Sequence, residues 1–135
     1  MKSSLAAGIS AVRELGVDRD RTIDFMGEAA RVYATPMLLR DIEMTCRELL
    51  LAHLDPGEDS VGTRVELDHL AATLLGMKVR IEAQVIEVKG RAVTFDATAH
   101  DGLDTICRCR HGRFVVDVKQ TEARLAAKAQ RAKGS

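Results

Sequence analysis

Tryptophan is absent, tyrosine occurs once and phenylalanine three times, so aromatics make up only 3% of the 135 residues. That shortage removes the stacking platforms that hold single-stranded nucleic acids. Charge of one sign is not in excess either: 20 Lys and Arg balance 20 Asp and Glu. Without a basic surplus there is no field to gather DNA, RNA or an anionic membrane. No apolar run approaches the roughly 18 residues that a bilayer crossing needs. The opening MKSSLAAGISAVRELG is too weakly apolar for a secretory leader. Three cysteines are an odd number and too few for a disulfide framework. Neither nucleic acid nor membrane is therefore an expected partner, and the cytoplasm is the expected location.

What is present suits one domain with a modest core: 46% hydrophobic and 30% charged residues. Residues 9–17, ISAVRELGV, suggest a first strand, and DRDRTIDF after it reads as a charged turn with a short edge strand. The two prolines bracket a helix. Thr35 is an N-cap candidate with Pro36 at the first helical position, and Pro56-Gly57 forces a turn after MLLRDIEMTCRELLLAHL. Strand patterns follow near 63–72, 77–88, 91–100 and 104–118, with hairpin signals at Gly90 and at Asp101-Gly102. The alanine-rich basic tail from 120 to 135 reads as a short, fraying helix. Strands joined by tight turns are antiparallel neighbours, and this helix is the only sizeable cover for their apolar face. The expectation is a single α+β domain over 1–135, an antiparallel sheet wrapped around one long helix in the hotdog manner.

Three polar residues stand out. On a helical wheel Glu43 falls inside the apolar sector formed by Leu39, Ile42, Cys46, Leu49, Leu50 and Leu54. It reads either as a border glutamate paired with Arg47 at i+4 or as a half-buried base. His69 sits in a strand row with Val65, Leu67 and Ala71, while Arg64, Glu66 and Asp68 take the other face. It is either a core histidine bonded to a carbonyl or equipment for proton transfer. Thr35 is either a plain cap or a hydroxyl beside the free N–H groups of a helix start. Two ionisable groups aimed into one apolar layer raise each other's odds of forming a site. Cys107, Cys109 and His111 share a strand face too, but a flat row does not converge tetrahedrally, so no metal is expected. His53 and His100 read as structural or solvated.

The stretch VYATPMLLRDIEMTCRELLLAHLDPGEDSVGTRVELDHLAATLLGMKV, with VKGRAVTFDATAHDGLDTI after it, resembles the fluoroacetyl-CoA thioesterase-like family of hotdog acyl-CoA thioesterases. The likeness covers about residues 32–118. It carries the family's catalytic threonine, glutamate and histidine onto Thr35, Glu43 and His69, and its backbone glycine near the thioester oxygen onto Gly62. It implies hydrolysis of a small or medium acyl-CoA, with coenzyme A as part of the substrate and no separate cofactor. The fluoroacetyl specialist carries an aromatic-rich lid before the helix; the corresponding DFMGEAARVY offers Phe25 and Tyr33. The resemblance does not decide whether Thr35 or Glu43 attacks directly. Two other readings stay open: a hotdog enoyl-CoA hydratase or dehydratase, and a non-catalytic acyl-CoA or metabolite-binding module.

Helix geometry bears on assembly. Thr35 and Glu43 are eight residues apart, about 12 Å along the axis, so one helix cannot bring both directly onto one thioester. Met37, Met44 and Leu51 also lie outside the main apolar sector. Both points predict a homodimer with shared sites, able to pair further into a tetramer.

Overall fold

The computed structural model describes residues 1–134. Strand β1 (Ser10–Gly16) leads through two 3-10 turns (Arg19–Arg21 and Glu28–Ala30) to helix α1 (Thr35–Leu51). Strands β2 (Glu58–His69), β3 (Lys78–Lys89), β4 (Ala92–His100) and β5 (Thr105–Asp117) follow, then helix α2 (Val118–Lys133). The strands form one antiparallel sheet in the order β1-β3-β4-β5-β2.

Alternation decides what each face does. Val79, Ile81, Ala83 and Val85 of β3 and Val93, Phe95, Ala97 and Ala99 of β4 are buried. So are Cys107, Cys109, His111, Arg113 and Val115 of β5. Helix α1 covers this face with Leu38, Ile42, Cys46, Leu49 and Leu50. Between them lie Lys78, Arg80, Glu82, Asp96, Thr98, Arg108 and Arg110, exposed on the opposite face.

Several boundaries differ from the sequence reading. The strand expected over 63–72 runs from Glu58 to His69. Its start pairs at once with the end of β5, Glu58 opposite Asp117, and Ala71 lies beyond its end. Between β1 and α1 the short edge strand expected in DRDRTIDF is not formed; the segment holds the 3-10 turns and single bridges of Thr22 with Tyr33 and Val32 with Leu74. The tail is not a short fraying helix but a 16-residue one, capped by Asp117 through Gln120 N–H and burying no residue.

The start of α1 is corrected by one residue. Ala34 is the cap, without a side-chain bond, and Thr35 is already helical with Pro36 behind it. The Ala34 carbonyl accepts from Leu38 N–H at 3.0 Å, which begins the helix one residue early. The Thr35 hydroxyl is thereby released from capping.

Strand β2 forms the other edge of the sheet, away from β1. It pairs with β5 on one side, and its other edge, 12 residues long, is unpaired among the described residues. A bulge leaves Thr63 unpaired between Gly62, opposite Arg113, and Arg64, opposite Gly112. One extra residue reverses the alternation. Ser60 and Gly62 before it therefore share the helix-covered face with Val65, Leu67 and His69 after it. The last three sit opposite buried His111, Cys109 and Cys107. They line the margin of the core rather than its centre: Val65 is 38% exposed, and Leu67 and His69 are half-buried.

Candidate active site

The four sequence candidates gather into two clusters at opposite ends of β2. At the C-terminal end, Thr35 Oγ1 lies 2.7 Å from His69 Nδ1. At the N-terminal end, Glu43 meets Gly62. Gly62 and His69 are seven residues apart, roughly 20 Å along a bulged strand. Within one chain, then, the structure joins Thr35 to His69 and Glu43 to Gly62, but not one pair to the other.

The His69 imidazole is half used. Nδ1 has the Thr35 hydroxyl, while Nε2 is buried and makes no hydrogen bond. Burial lowers its pKa from the ordinary 6.5, with the Ala71 backbone opposing, so the ring is neutral at pH 7. Where the Thr35 hydroxyl donates to Nδ1, the ring proton sits on Nε2, which meets no acceptor. A buried donor left unmade is costly unless something arrives to fill it.

At the other end the Glu43 carboxylate is paired through one oxygen. Glu43 Oε2 lies 3.4 Å from Arg113 Nη1 and 3.8 Å from His111 Nε2. Pairing with Arg47 is ruled out, because Arg47 is taken by Asp59, with Nη2 at 2.6 Å from Oδ2. Arg113 is 5% exposed. Its Nε donates to Ser60 Oγ at 2.8 Å and its Nη2 to the Ser60 carbonyl at 2.9 Å. Gly62 is required by space: a Cβ there would stand 2.8 Å from Glu43 Oε2 and 3.2 Å from His111 Cε1. It lies within β2, not ahead of it, and brings bare backbone against the carboxylate. Glu43 remains partly exposed, its side chain 36% accessible. It opens into a cavity of about 210 Å³ shared with Pro36, Leu39, Arg40, Met44, Arg47 and Arg113.

Arg113, His111 and Ser60 were not recognised as site residues from sequence. The signal for Arg113 lies in CRCRHGRFVV, where it falls on the same parity as Cys107, Cys109, His111 and Val115. An arginine in a buried row demands a carboxylate partner. The cysteines of that row are plain core: burial pushes Cys107 up to about 12 and Cys109 up to about 11, so both are neutral thiols. Among the described residues no group of three or more His, Cys, Asp or Glu is placed to hold a metal. His53 and His100 have local roles, with Nδ1 of the first against Ser4 Oγ and Nδ1 of the second accepting from Gly102 N–H.

Ahead of the helix, one aromatic is buried and the other exposed. Tyr33 is 1% exposed, and its hydroxyl donates to Asp41, which Arg21 also holds at 2.9 and 3.1 Å. Phe25 is 79% exposed.

An antiparallel sheet over one long helix, with acid–base groups at the margin of an unpaired edge strand, is the hotdog fold of the thioesterase superfamily. The chain belongs to the fluoroacetyl-CoA-specific thioesterase family, whose model matches residues 17–119, and it is by that membership an enzyme of the thioester hydrolase class. The fluoroacetyl-CoA thioesterase of Streptantibioticus cattleyicolor is 29% identical over 95% of this chain and 97% of its own length. A Thermus thermophilus thioesterase superfamily member superposes with a TM-score of 0.89 at 29% identity, covering 98% of this chain and 99% of the other. A point mutant of the fluoroacetyl-CoA-specific thioesterase FlK, in complex with fluoroacetate and CoA, gives a TM-score of 0.80 at 29% identity. That match covers 87% of this chain and 99% of the other. No helix among the described residues is long and apolar enough to cross a membrane.

Proposed function

We propose that this protein hydrolyses small or medium acyl-CoA thioesters in the cytoplasm, at two sites shared between the subunits of a homodimer. The observation that carries the reading is the separation of two incomplete clusters on one face of β2, beside an unpaired edge. Two such edges pairing antiparallel would bring the His69 end of one strand beside the Gly62 end of the other. Neighbouring strands lie about 4.8 Å apart. The parity reversal at Thr63 matters here, because directly opposed residues must point to the same side. Without the bulge, His69 and Gly62 would face away from each other.

In the assembled site Glu43 takes a proton from water as the oxygen adds to the thioester carbon. Glu43 can instead attack that carbon itself, giving an anhydride that water then opens. The neutral His69 hydrogen-bonds through Nε2–H to the developing oxyanion, and the proton that Glu43 took from water passes to the departing thiolate as the C–S bond breaks. Thr35 fixes the tautomer that makes this donation possible, and the Gly62 backbone borders the carbonyl. Coenzyme A enters as part of the substrate and no cofactor is required.

The sparse aromatics ahead of the helix support a substrate wider than fluoroacetyl. Within one chain Tyr33 is locked to Asp41 and Phe25 is exposed, so this segment carries no packed aromatic pair. Thiol release measured across acyl-CoA chain lengths tests the function. Turnover is expected for short to medium chains. Loss of enoyl absorbance without thiol release would identify a hydratase, and tight binding without turnover a binding module.

A further inference from the structure

Arg113 meets Glu43 through one nitrogen, and that nitrogen has a second partner. Nε and Nη2 are committed to Ser60, so Nη1 alone reaches Glu43 Oε2 at 3.4 Å. The same Nη1 lies closer, at 3.1 Å, to His111 Nε2. A guanidinium can only donate, so Nε2 must be the bare nitrogen. His111 Nδ1 lies 2.8 Å from the Arg64 carbonyl, which can only accept, so Nδ1 must carry the proton. Two partners with one role each select a single neutral tautomer.

The ring has no other seat. It is wholly buried, stacked on Phe95 with centroids 6.3 Å apart, and closed over by Gly62. The groups facing it are Arg113 on β5, Glu43 on α1, the Arg64 carbonyl on β2 and Phe95 on β4. Only Arg113 and Glu43 are charged. Burial and the Arg113 charge keep the imidazole neutral, while the Arg64 carbonyl and Glu43 oppose them.

We propose that His111 is a positioning residue: as the neutral Nδ1–H tautomer it accepts from Arg113 and so aims that guanidinium at Glu43. Protonating it would set two donors against each other across 3.1 Å and draw Glu43 away from Arg113 toward the imidazolium. The consequence for turnover rests on Glu43 being the base; the clamp itself does not.

The test has one arm without turnover and one with it. Nitrogen-15 NMR of the wild-type histidines should show His111 protonated at Nδ1 and bare at Nε2 at neutral pH. A proton on Nε2, or an imidazolium, would overturn the proposal. On acidification the Arg113 side-chain N–H signals should change together with His111; signals that ignore its titration contradict the clamp. His111→Phe keeps a ring and removes both bonds, whereas His111→Gln returns an acceptor at about the reach of Nε2. The phenylalanine variant should lose roughly ten- to a hundredfold in kcat, with KM within about twofold, as misplacement of a catalytic group does. The glutamine variant should recover much of that loss. Wild-type kcat in His111→Phe, or equal loss in both variants, would overturn the positioning role. Wild-type protein with this tautomer but no thiol release would refute the proposed reaction while leaving the clamp intact.

Discussion

At the Gly62 end of β2, Arg113 is enclosed by Ser60, Glu43 and His111, and its donors on all three nitrogens have acceptors. At the His69 end, the imidazole has one partner in Thr35 and a buried Nε2 with none. Both ends lie on the same sheet face and flank the same unpaired edge. One is a finished electrostatic clamp around a carboxylate that still faces a cavity. The other is a donor held ready beside the edge. That difference is what the proposal of a site shared between two subunits rests on: each end holds what the other lacks.

The largest effects should come from removing the working group at either end. Glu43→Ala and His69→Ala should each lower acyl-CoA turnover by at least roughly a hundredfold, the lower range for lost acid–base help. Circular dichroism should show both folded. Near-wild-type turnover in either variant would remove that residue from the mechanism.

Gly62→Ala probes how tightly the finished end is packed. The new methyl would stand 2.8 Å from Glu43 Oε2, which can swing away, and 3.2 Å from the His111 ring, which cannot. Folding should survive, while the displaced carboxylate should cost roughly ten- to a hundredfold in kcat. Unchanged kcat would mean that the Glu43 position is not critical.

A smaller effect is expected at Thr35. Thr35→Ser keeps a hydroxyl for His69 Nδ1 and should retain most activity, whereas Thr35→Ala should lose more, because the ring tautomer is then free. Since Ala34 is the cap, thermal unfolding of Thr35→Ala should shift by no more than about 0.5 kcal/mol, the usual range for a substitution that breaks no cap or core contact. A loss of the size typical of a removed cap, about 1 kcal/mol, would restore Thr35 to that role.

The smallest signal is in stability against pH. Burial holds both His69 and His111 below the ordinary imidazole value. The unfolded chain therefore binds protons that the folded chain refuses, and stability rises with pH. The contribution is present in full above about pH 6.5 and is lost progressively as pH falls toward the lowered folded values. Urea denaturation across that window should show the decline, and a rise on acidification would contradict neutral burial of these rings.

Much of this was legible in the sequence where the chain's own periodicity was the cause. The turn at Pro56-Gly57, the hairpins at Gly90 and Gly102, and the long helix all follow from local chemistry. His69 stood out because an imidazole interrupted an apolar row. What periodicity could not reveal was the bulge at Thr63, since an extra residue leaves no local mark until β5 is laid beside β2. Nor could it assign the partner of Glu43: Arg47 was the near candidate by helix spacing, but Asp59 claimed it and Arg113 arrived from 70 residues away. Thr35 falls one position inside the expected cap because the helix already begins at the Ala34 carbonyl, and its hydroxyl pairs with His69 Nδ1 instead of a backbone N–H.

Mixing subunits tests the shared site most directly. Glu43→Ala and His69→Ala chains, each inactive alone, are unfolded together, refolded at equal ratio and assayed for thiol release. Random pairing makes half the dimers mixed, and each mixed dimer holds one site with an intact Glu43 and an intact partner's His69. The account predicts recovery to about a quarter of wild-type activity, carried by a dimer in light scattering. No recovery from a well-mixed dimer, or full activity in a wild-type monomer, would contradict it.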